Sequence, residues 1–507
     1  MKQLSNEQQR KIGMALSYVQ TALSGVISIV YIPILLSGIG KGEYGLYQLL
    51  GSVIAYFSTT YSSLNSSVMK YYTQYLIDHD TEKMENTLAI SRRLFLIVSL
   101  LIIFVSIPVG FIFGYAYRNS LTSHELRESL IMFAVMIANI LEYLNNSIYS
   151  ASIMSNEKFI FRRSLDVISQ VLQPIAVILF IKRYPYALTI VAVQLLLNYC
   201  VALANTIYAK KGLHVRVIFH YKDSSLVKGL LSLSGSVLFV SIADQIFWKT
   251  DQLILGQMYG TGIVAVYSIG SQLNSIYISI GIVMAGVLLP MLTKIIASDS
   301  SGEKISSAFA QLGRYQSYIV MLTLTGICLY GQEFILLLAG EDYLSAYWVA
   351  LLLMIPYTVD LIQNSGNTIL QAENKYWYRA RILFIAAIIN IFLTFALAKY
   401  YGMYGAAGAT TIAIVVTSWF VMNHIYSKNI GLNIRYFWKE VIPIWIKGFL
   451  PFIIGYFIRY IHLPNTYLQF GVHVVLYVFV YFVFVYLFTL RKNEKQFILG
   501  RLYQKRG

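Results

Sequence analysis

The chain has 507 residues, of which 57% are hydrophobic and 12% are charged, and its formal net charge is +16. Soluble domains are about half apolar and about one quarter charged, so this composition excludes a soluble protein and places the chain in a membrane. The positive charge does not indicate nucleic acid as a partner, because no hydrophilic segment is long enough to fold into a basic binding face.

Apolar runs follow one another almost from end to end. A hydrocarbon core about 30 Å thick needs about 20 apolar residues per crossing helix. Reading the runs between charge clusters predicts an all-α integral membrane protein with about fourteen transmembrane helices. The predicted spans lie near residues 12–36, 44–68, 94–116, 130–153, 165–181, 187–208, 230–255, 263–289, 315–338, 347–370, 382–398, 406–426, 442–461 and 468–490.

Basic residues alternate from one side of these spans to the other. Of the 39 Lys and Arg residues, 31 fall in the N-terminal segment, the C-terminal segment and the even-numbered loops, and 8 fall in the odd-numbered loops and span ends. Because Lys and Arg accumulate in short cytoplasmic loops, this pattern predicts a multi-pass protein with both termini in the cytoplasm.

An internal repeat relates the two halves of the chain. Strings in outer loops match at an offset of 220 residues, and strings in inner loops match at an offset of 217. The matched positions are Ile34, Leu35, Gly40, Gly42 and Tyr47 with Ile254, Leu255, Gly260, Gly262 and Tyr267, and Lys158, Phe159, Phe161 and Arg162 with Lys375, Tyr376, Tyr378 and Arg379. Both shifts carry span n onto span n+6, so the two copies run in the same direction through the membrane.

The repeat predicts two parallel six-helix lobes followed by two C-terminal helices. The N-lobe covers 1–211 with spans 1–6, and the C-lobe covers 212–428 with spans 7–12. Residues 429–507 hold accessory spans 13 and 14 and a basic cytoplasmic tail. Transporters with parallel repeats bind substrate between their halves, so we expect a cavity there.

The hydrophilic loops are too short for a catalytic domain. The longest lie near 69–93, 209–229 and 291–314. No phosphate-binding loop of the G-x-x-x-x-G-K-[ST] type occurs, so transport driven by ATP within this chain is excluded. We therefore predict that the protein is not an enzyme, although a membrane glycosyltransferase or polymerase is kept as an alternative from another class.

Three sets of residues resemble one family. They are Gly38-Ile39-Gly40 with Glu43-Tyr44-Gly45-Leu46-Tyr47, then Asp251-Gln252-Leu253-Ile254-Leu255-Gly256 with Gly260, Gly262 and Val266-Tyr267-Ser268-Ile269, and then Tyr401-Gly402-Met403-Tyr404-Gly405-Ala406-Ala407-Gly408-Ala409-Thr410. In that order they resemble the first outer loop, the seventh span and the turn entering span 12 of polysaccharide-transport flippases. These are the O-antigen (Wzx-type) branch of the multidrug, oligosaccharidyl-lipid and polysaccharide exporter superfamily.

This resemblance implies a flippase in the bacterial plasma (inner) membrane. It would move undecaprenyl-pyrophosphate-linked oligosaccharide repeat units to the outer leaflet by alternating access between the lobes, for polysaccharides such as the lipopolysaccharide O-antigen. The implied partners are lipid-linked oligosaccharide, membrane lipids and the polysaccharide polymerase machinery. The alternatives are a cation-coupled multidrug exporter and a lipid II flippase of the same superfamily. No cofactor is expected, and H⁺ or Na⁺ is left open as a coupling ion.

Ionisable side chains inside spans are costly, so we take them as functional candidates. Glu142 lies near the middle of span 4. Asp360 lies near the middle of span 10, and the 217-residue offset places it one position from Glu142. In a cavity, the two carboxylates could bind a coupling cation or accept hydrogen bonds from sugar hydroxyls. The competing interpretation is that each is a buried group paired with a hydroxyl or an amide of a neighbouring helix.

The outer half of span 7 is the most polar part of any span. It contains Asp244, Gln245, Trp248, Lys249 and Asp251. Asp244, Trp248 and Asp251 share one helical face, and Lys249 lies about 140° from Asp244. Lys249 is therefore a candidate cation for a pyrophosphate, with snorkelling to the surface as the competing interpretation. Asp251 is interpreted either as a substrate contact or as a packing residue. No catalytic and no metal-binding residues are predicted.

Overall fold

The computed structural model describes residues 6–297, 302–373, 375–461, 464, 466–492 and 494–495. These residues are almost entirely helical, and no strand occurs within those ranges. The helices are α1 (Asn6–Ile77), α2 (Thr81–Ala116), α3 (Ser123–Ser155), α4 (Phe159–Ile181), α5 (Ala187–Ile207), α6 (Ser224–Tyr259), α7 (Thr261–Ala297), α8 (Gly302–Ala339), α9 (Ala346–Ile362), α10 (Ser365–Ala372), α11 (Trp377–Ile414), α12 (Met422–Lys428), α13 (Ile434–Ile461) and α14 (Tyr467–Phe484). The end of the predicted basic tail, 496–507, lies outside the described residues.

Twelve helical stretches in the described part of the chain are long and apolar enough to cross a membrane. Their length and composition confirm the prediction of an all-α, multi-pass membrane protein. Two of them exceed any single crossing: α1 has 72 residues, and the stretch Trp377–Lys428 has 52. At about 1.5 Å per residue, each is well over the bilayer core of about 30 Å.

Glycines break both of these long stretches. Gly40 interrupts α1 with φ 81° and ψ 173°, and Gly402 interrupts α11 with φ 56° and ψ −136°. Positive φ values of this kind strain any residue that carries a Cβ atom, so glycine allows the chain to turn there. Both breaks fall in outer loops predicted from the sequence. If the two parts on either side of each glycine cross the membrane separately, the number of spans becomes the fourteen expected. That number stays a prediction.

Gly260, at the junction of α6 and α7, repeats the backbone of Gly40. Its φ is 78° and its ψ is −173°, and the 220-residue offset aligns the two glycines. Such agreement is what duplicated segments predict. The same junction touches α1, because a Cβ atom on Gly45 would lie 2.0 Å from the carbonyl oxygen of Thr261. Two of the sequence strings that carry the family resemblance therefore pack against each other.

Packing divides the chain into two units, Met1–Ala265 and Val266–Gly507. In the first unit, α1 runs along α3, α4 and α6, while α3 also lies against α2 and α5. Its interior is filled by fully buried aliphatic side chains that include Leu46, Leu88 and Met132. The predicted domain limits at residues 211 and 428 stay predictions.

In the second unit, α8 packs against α9 and against the accessory helices α13 and α14. Buried ion pairs fix α8 to the accessory part of the chain. Arg314 lies 3.2 Å from Glu440 and 3.3 Å from Glu494, and Arg459 lies 2.6 Å from Glu333. Between these pairs an aromatic and aliphatic core is formed by Tyr318, Met321, Leu329, Tyr330, Ile444, Tyr477, Tyr481 and Val485.

Candidate functional site

Near its Gly260 end, one face of α6 packs against α1. The hydroxyls of Tyr56 and Thr250 are hydrogen-bonded at 2.9 Å, and Ser52 donates a hydrogen bond to the side chain of Gln252. Asp251 lies between these two polar contacts and is only 2% exposed. Its position favours the interpretation of Asp251 as a packing residue.

Tyr117, which follows α2, secures the same part of α6. Its hydroxyl donates a hydrogen bond to the carbonyl of Leu253 at 2.8 Å. Burial raises the pKa of Tyr117, so the hydroxyl keeps its proton and remains a donor. Gly256 allows this close packing, because a Cβ atom there would lie 3.3 Å from the Tyr117 ring. The packed face is therefore built around α6 from two sides.

The remaining candidates on α6 are more open. Asp244 is exposed, and Gln245, Trp248 and Lys249 are half-buried. The Trp248 ring meets Phe247 edge to face, with centroids 5.2 Å apart. Among the described residues, no side chain forms a hydrogen bond or an ion pair with the Lys249 ammonium group. Lys249 is thus a cation inside a spanning helix that no carboxylate of the described chain neutralises.

Glu142 is one of the buried carboxylates of the first unit. It lies on α3 and is only 5% exposed. No hydrogen bond or ion pair to its carboxylate occurs within the described ranges. The Tyr61 hydroxyl lies near the side chains of Glu142, Arg162 and Asp166, and the Tyr61 ring lies 5.3 Å from that of Tyr143. Glu142 therefore faces a polar region in the interior of this unit.

Other polar groups extend this region. On α3, the side chain of Asn139 accepts a hydrogen bond from Asn198 of α5 at 2.8 Å. On α4, Arg162 lies 3.1 Å from Asp166, and Arg163 lies 3.6 Å from it. The two arginines therefore neutralise the carboxylate on their own helix, and no cation of the described chain pairs with Glu142.

Asp360, the counterpart of Glu142 in the second unit, has hydrogen-bond partners at both carboxylate oxygens. Both of its carboxylate oxygens accept hydrogen bonds from Arg379, at 3.1 and 3.2 Å, and Ser418 donates to it at 3.2 Å. Asp360 is 8% exposed. This two-point pairing with a guanidinium group joins α9, α11 and the π-helical segment Val415–Val421. A buried pair with a hydroxyl or an amide of a neighbouring helix was one of the two interpretations of Asp360; the Ser418 hydroxyl is such a partner, but the main partner is the guanidinium group of Arg379.

Arg162 and Arg379 carry no mark in the sequence of a functional or structural pairing. Both arginines were counted as cytoplasmic topology signals. They occupy equivalent positions under the 217-residue offset, and that match was the available signal. The repeat could not predict the partner of Arg379, because the ion pair depends on how the segment between α9 and α11 places Arg379 beside Asp360.

One further group of residues has the chemistry to bind a metal ion. The ligand atoms of Glu43, His124 and Glu128 all lie within 4.8 Å of one another. They come from α1 and from the first turns of α3, and no sequence spacing connects Glu43 with the other two.

The comparisons with known proteins agree with this fold. Residues 13–296, more than half of the chain, match the family described as polysaccharide biosynthesis protein. The chain belongs to this family. A curated relative from Klebsiella pneumoniae, an uncharacterized membrane protein in the cps region, is 28% identical over 154 residues. That match covers 30% of this chain and 30% of the relative.

Two solved structures show that this member of the polysaccharide biosynthesis protein family shares a transporter fold. The lipid II flippase MurJ, in an inward closed conformation, has a TM-score of 0.68 at 14% identity, covering 94% of this chain and 98% of MurJ. A multidrug resistance MATE family transporter of the MOP superfamily has a TM-score of 0.63 at 13% identity, covering 80% and 98%.

The MurJ match is long enough to include residues of the accessory helices α13 and α14. The unmatched 6% of 507 residues is about 30 residues. This is fewer than the 28 residues of α13 and the 18 of α14 taken together. The fold shared with MurJ therefore includes at least part of the accessory pair.

Proposed function

We propose that this protein is a flippase that moves undecaprenyl-pyrophosphate-linked oligosaccharide repeat units across the bacterial plasma membrane for surface polysaccharide synthesis. The membership of the polysaccharide biosynthesis protein family and the relative in the cps region support a role in making polysaccharide. The fold shared with a lipid II flippase supports transport of a lipid-linked substrate. Alternating access between the two predicted lobes is the proposed mechanism.

The observation that carries the proposal is Lys249 beside Trp248, with no hydrogen-bond or ion-pair partner for its ammonium group among the described residues. A pyrophosphate group needs a cation, and an ammonium group that is not already paired can bind it without first losing a protein partner. Other charged groups inside the helices, such as Asp360 and Glu333, are engaged in ion pairs. Trp248 adds a flat apolar surface of the kind on which a sugar ring can stack.

Glu142 gives the proposal a second polar group. A buried carboxylate without a protein partner suits a coupling cation, H⁺ or Na⁺, or a sugar hydroxyl that donates a hydrogen bond. The polysaccharide polymerase remains the proposed partner, and both termini are proposed to face the cytoplasm. Cysteine labelling from either side of the membrane at single introduced sites would test this orientation.

Lipid II transport and cation-coupled drug export are the competing functions. The MurJ fold favours the first of these over the second, because the MATE match leaves one fifth of this chain uncovered. A deletion strain separates the three. We expect loss of surface glycan with accumulation of lipid-linked repeat units. Loss of peptidoglycan synthesis would indicate lipid II, and altered drug sensitivity with intact glycan would indicate an exporter.

Complementation of the deletion strain tests the role of Lys249. Lys249→Ala should fail to restore surface glycan, while Lys249→Arg should largely restore it, because a guanidinium group also binds pyrophosphate. Lys228→Ala is the matched control, since Lys228 is an exposed lysine on the same helix. Equal glycan levels with all three variants would remove Lys249 from the transport site.

A further inference from the structure

We propose that Glu43, His124 and Glu128 bind a divalent transition-metal ion, with Zn²⁺ as the best match. The ligand atoms are two carboxylate oxygens and one imidazole nitrogen, and all lie within 4.8 Å of one another. This donor set suits Zn²⁺, which commonly takes three protein ligands and leaves a fourth position for water. The inference is independent of the proposed transport function.

Local structure brings the three residues together. Glu43 follows the break of α1 at Gly40, and His124 and Glu128 lie in the first two turns of α3. The start of α3 is fixed by a capping box between Thr122 and Glu125, with hydrogen bonds of 2.8 and 3.2 Å. His124 and Glu128 are four residues apart, so they share one face of the helix.

The N-terminus of α5 orients both carboxylates. The backbone N–H of Ala187 donates a hydrogen bond to Glu43 Oε2 at 2.8 Å, and that of Leu188 donates to Glu128 Oε1 at 3.2 Å. Free N–H groups at a helix start stabilise negative charge. Each carboxylate thus accepts a hydrogen bond from the start of α5 with one of its oxygens.

The second carboxylate oxygen of Glu128 indicates a binding position for a cation. Glu128 is only 7% exposed, yet its Oε2 is buried and has no hydrogen-bond partner. The Nδ1 atom of His124 lies 3.8 Å from it. No Lys or Arg pairs with Glu43 or Glu128 in the part of the chain that the structure describes. Two adjacent carboxylates, one buried and one half-buried, are stabilised by a cation between them or by a shared proton.

The spacing and the surroundings fit a metal ion. Ligands held at about 2.0–2.2 Å from one Zn²⁺ lie about 3–4 Å apart, so small side-chain rotations close the present spacing. His124 and Glu128 also line a cavity of about 740 Å³, from which water and ions can reach them. A bound ion would tie α1, α3 and α5 together near the predicted outer surface of the first unit.

Zinc binding by the purified full-length protein tests the proposal. After treatment with a chelator, the protein in detergent is dialysed against ZnCl₂, and retained zinc is measured by mass spectrometry. We expect one zinc ion per chain, together with a higher midpoint of thermal unfolding. His124→Gln and Glu128→Gln should each lower zinc affinity at least about tenfold.

Two controls make the outcome decisive. The His124 side chain is 69% exposed, so His124→Gln should keep the fold even if Glu128→Gln does not. His220→Gln is the matched control, since it removes an imidazole that lies 2.9 Å from Glu85, and it should retain zinc. The proposal fails if wild-type protein holds no more zinc than His124→Gln. It also fails if Mg²⁺ binds as tightly as Zn²⁺.

Discussion

Glu142 and Asp360 lie one position apart under the 217-residue offset, yet their surroundings differ. Asp360 is held at both oxygens by Arg379 and also contacts Ser418. Glu142 is equally buried, but no described residue forms a hydrogen bond or an ion pair with it. A buried charge without a partner is costly, whereas a paired one is largely compensated. Burial of Glu142 in the first unit therefore carries a desolvation cost that the pairing with Arg379 offsets for Asp360 in the second unit.

The difference between Glu142 and Asp360 follows from the partners of Arg162 and Arg379. Arg162 and Arg379 occupy equivalent positions of the repeat. Arg162 pairs with Asp166, four residues later on the same helix. The position equivalent to Asp166 in the second copy is Leu383, so Arg379 has no such partner and binds Asp360 across helices. The equivalent arginines therefore have different partners in the two copies, and no described arginine pairs with Glu142.

The largest effect is expected from breaking the pair in the second unit. Arg379→Ala leaves Asp360 buried without its cation and should lower the free energy of unfolding by about 3–5 kcal/mol. The measurement is the midpoint of thermal or denaturant-induced unfolding of the purified protein in detergent. The double variant Asp360→Asn with Arg379→Gln should recover part of the loss, because neither charge then remains buried.

Arg162→Ala is the matched control for this prediction. The side chains of Arg162 and Asp166 are 19% and 17% exposed, so water can replace part of their interaction. We expect a loss of at most about 1 kcal/mol, as for other partly exposed pairs. Equal losses for Arg162→Ala and Arg379→Ala would contradict the difference between the two units.

A second pair of repeated positions should give a smaller effect. Gly260→Ala places a Cβ atom 2.9 Å from the carbonyl oxygen of Ser120 and also strains the backbone, whereas a Cβ atom on Gly40 meets no atom within 4 Å. Backbone strain alone costs about 1–3 kcal/mol, so both variants should lower the midpoint of unfolding, Gly260→Ala more strongly.

Gly25→Ala is the control for the glycine variants. Gly25 lies within α1, and a Cβ atom there meets no atom within 4 Å. Because Ala favours helix by about 1 kcal/mol relative to Gly, this variant should be neutral or stabilising. If Gly40→Ala behaved like Gly25→Ala, the turn at Gly40 would not require glycine.

The fold could be predicted from the sequence to a greater extent than the contacts within the candidate site. The apolar runs and charge clusters were sufficient for the all-α membrane fold, because crossing a bilayer restricts both length and composition. Glycine-containing strings marked the turns at Gly40 and Gly402. The partner of Asp360 could not be predicted, since it depends on helix register across a loop. The Glu43, His124 and Glu128 group depends on how three helix ends meet, which no periodicity encodes.

The smallest effect on stability is expected at Glu142, although it bears most directly on function. Glu142→Gln keeps the shape of the side chain and removes a buried charge that has no described partner. The free energy of unfolding should therefore stay the same or rise, because desolvation of the carboxylate no longer opposes folding. Surface glycan in the complemented deletion strain should nevertheless fall, since an amide cannot replace a carboxylate that binds a coupling cation.

Asp360→Asn provides the contrast, with a clear loss of stability but glycan export that stays proportional to the amount of folded protein. A loss of stability in Glu142→Gln as large as that in Arg379→Ala would mean that Glu142 has a structural partner after all. Full glycan export with unchanged stability would mean that the buried charge is retained for some purpose other than transport. Unchanged or increased stability combined with lost export is the outcome that fits our interpretation, in which transport requires a buried carboxylate that no described residue pairs with.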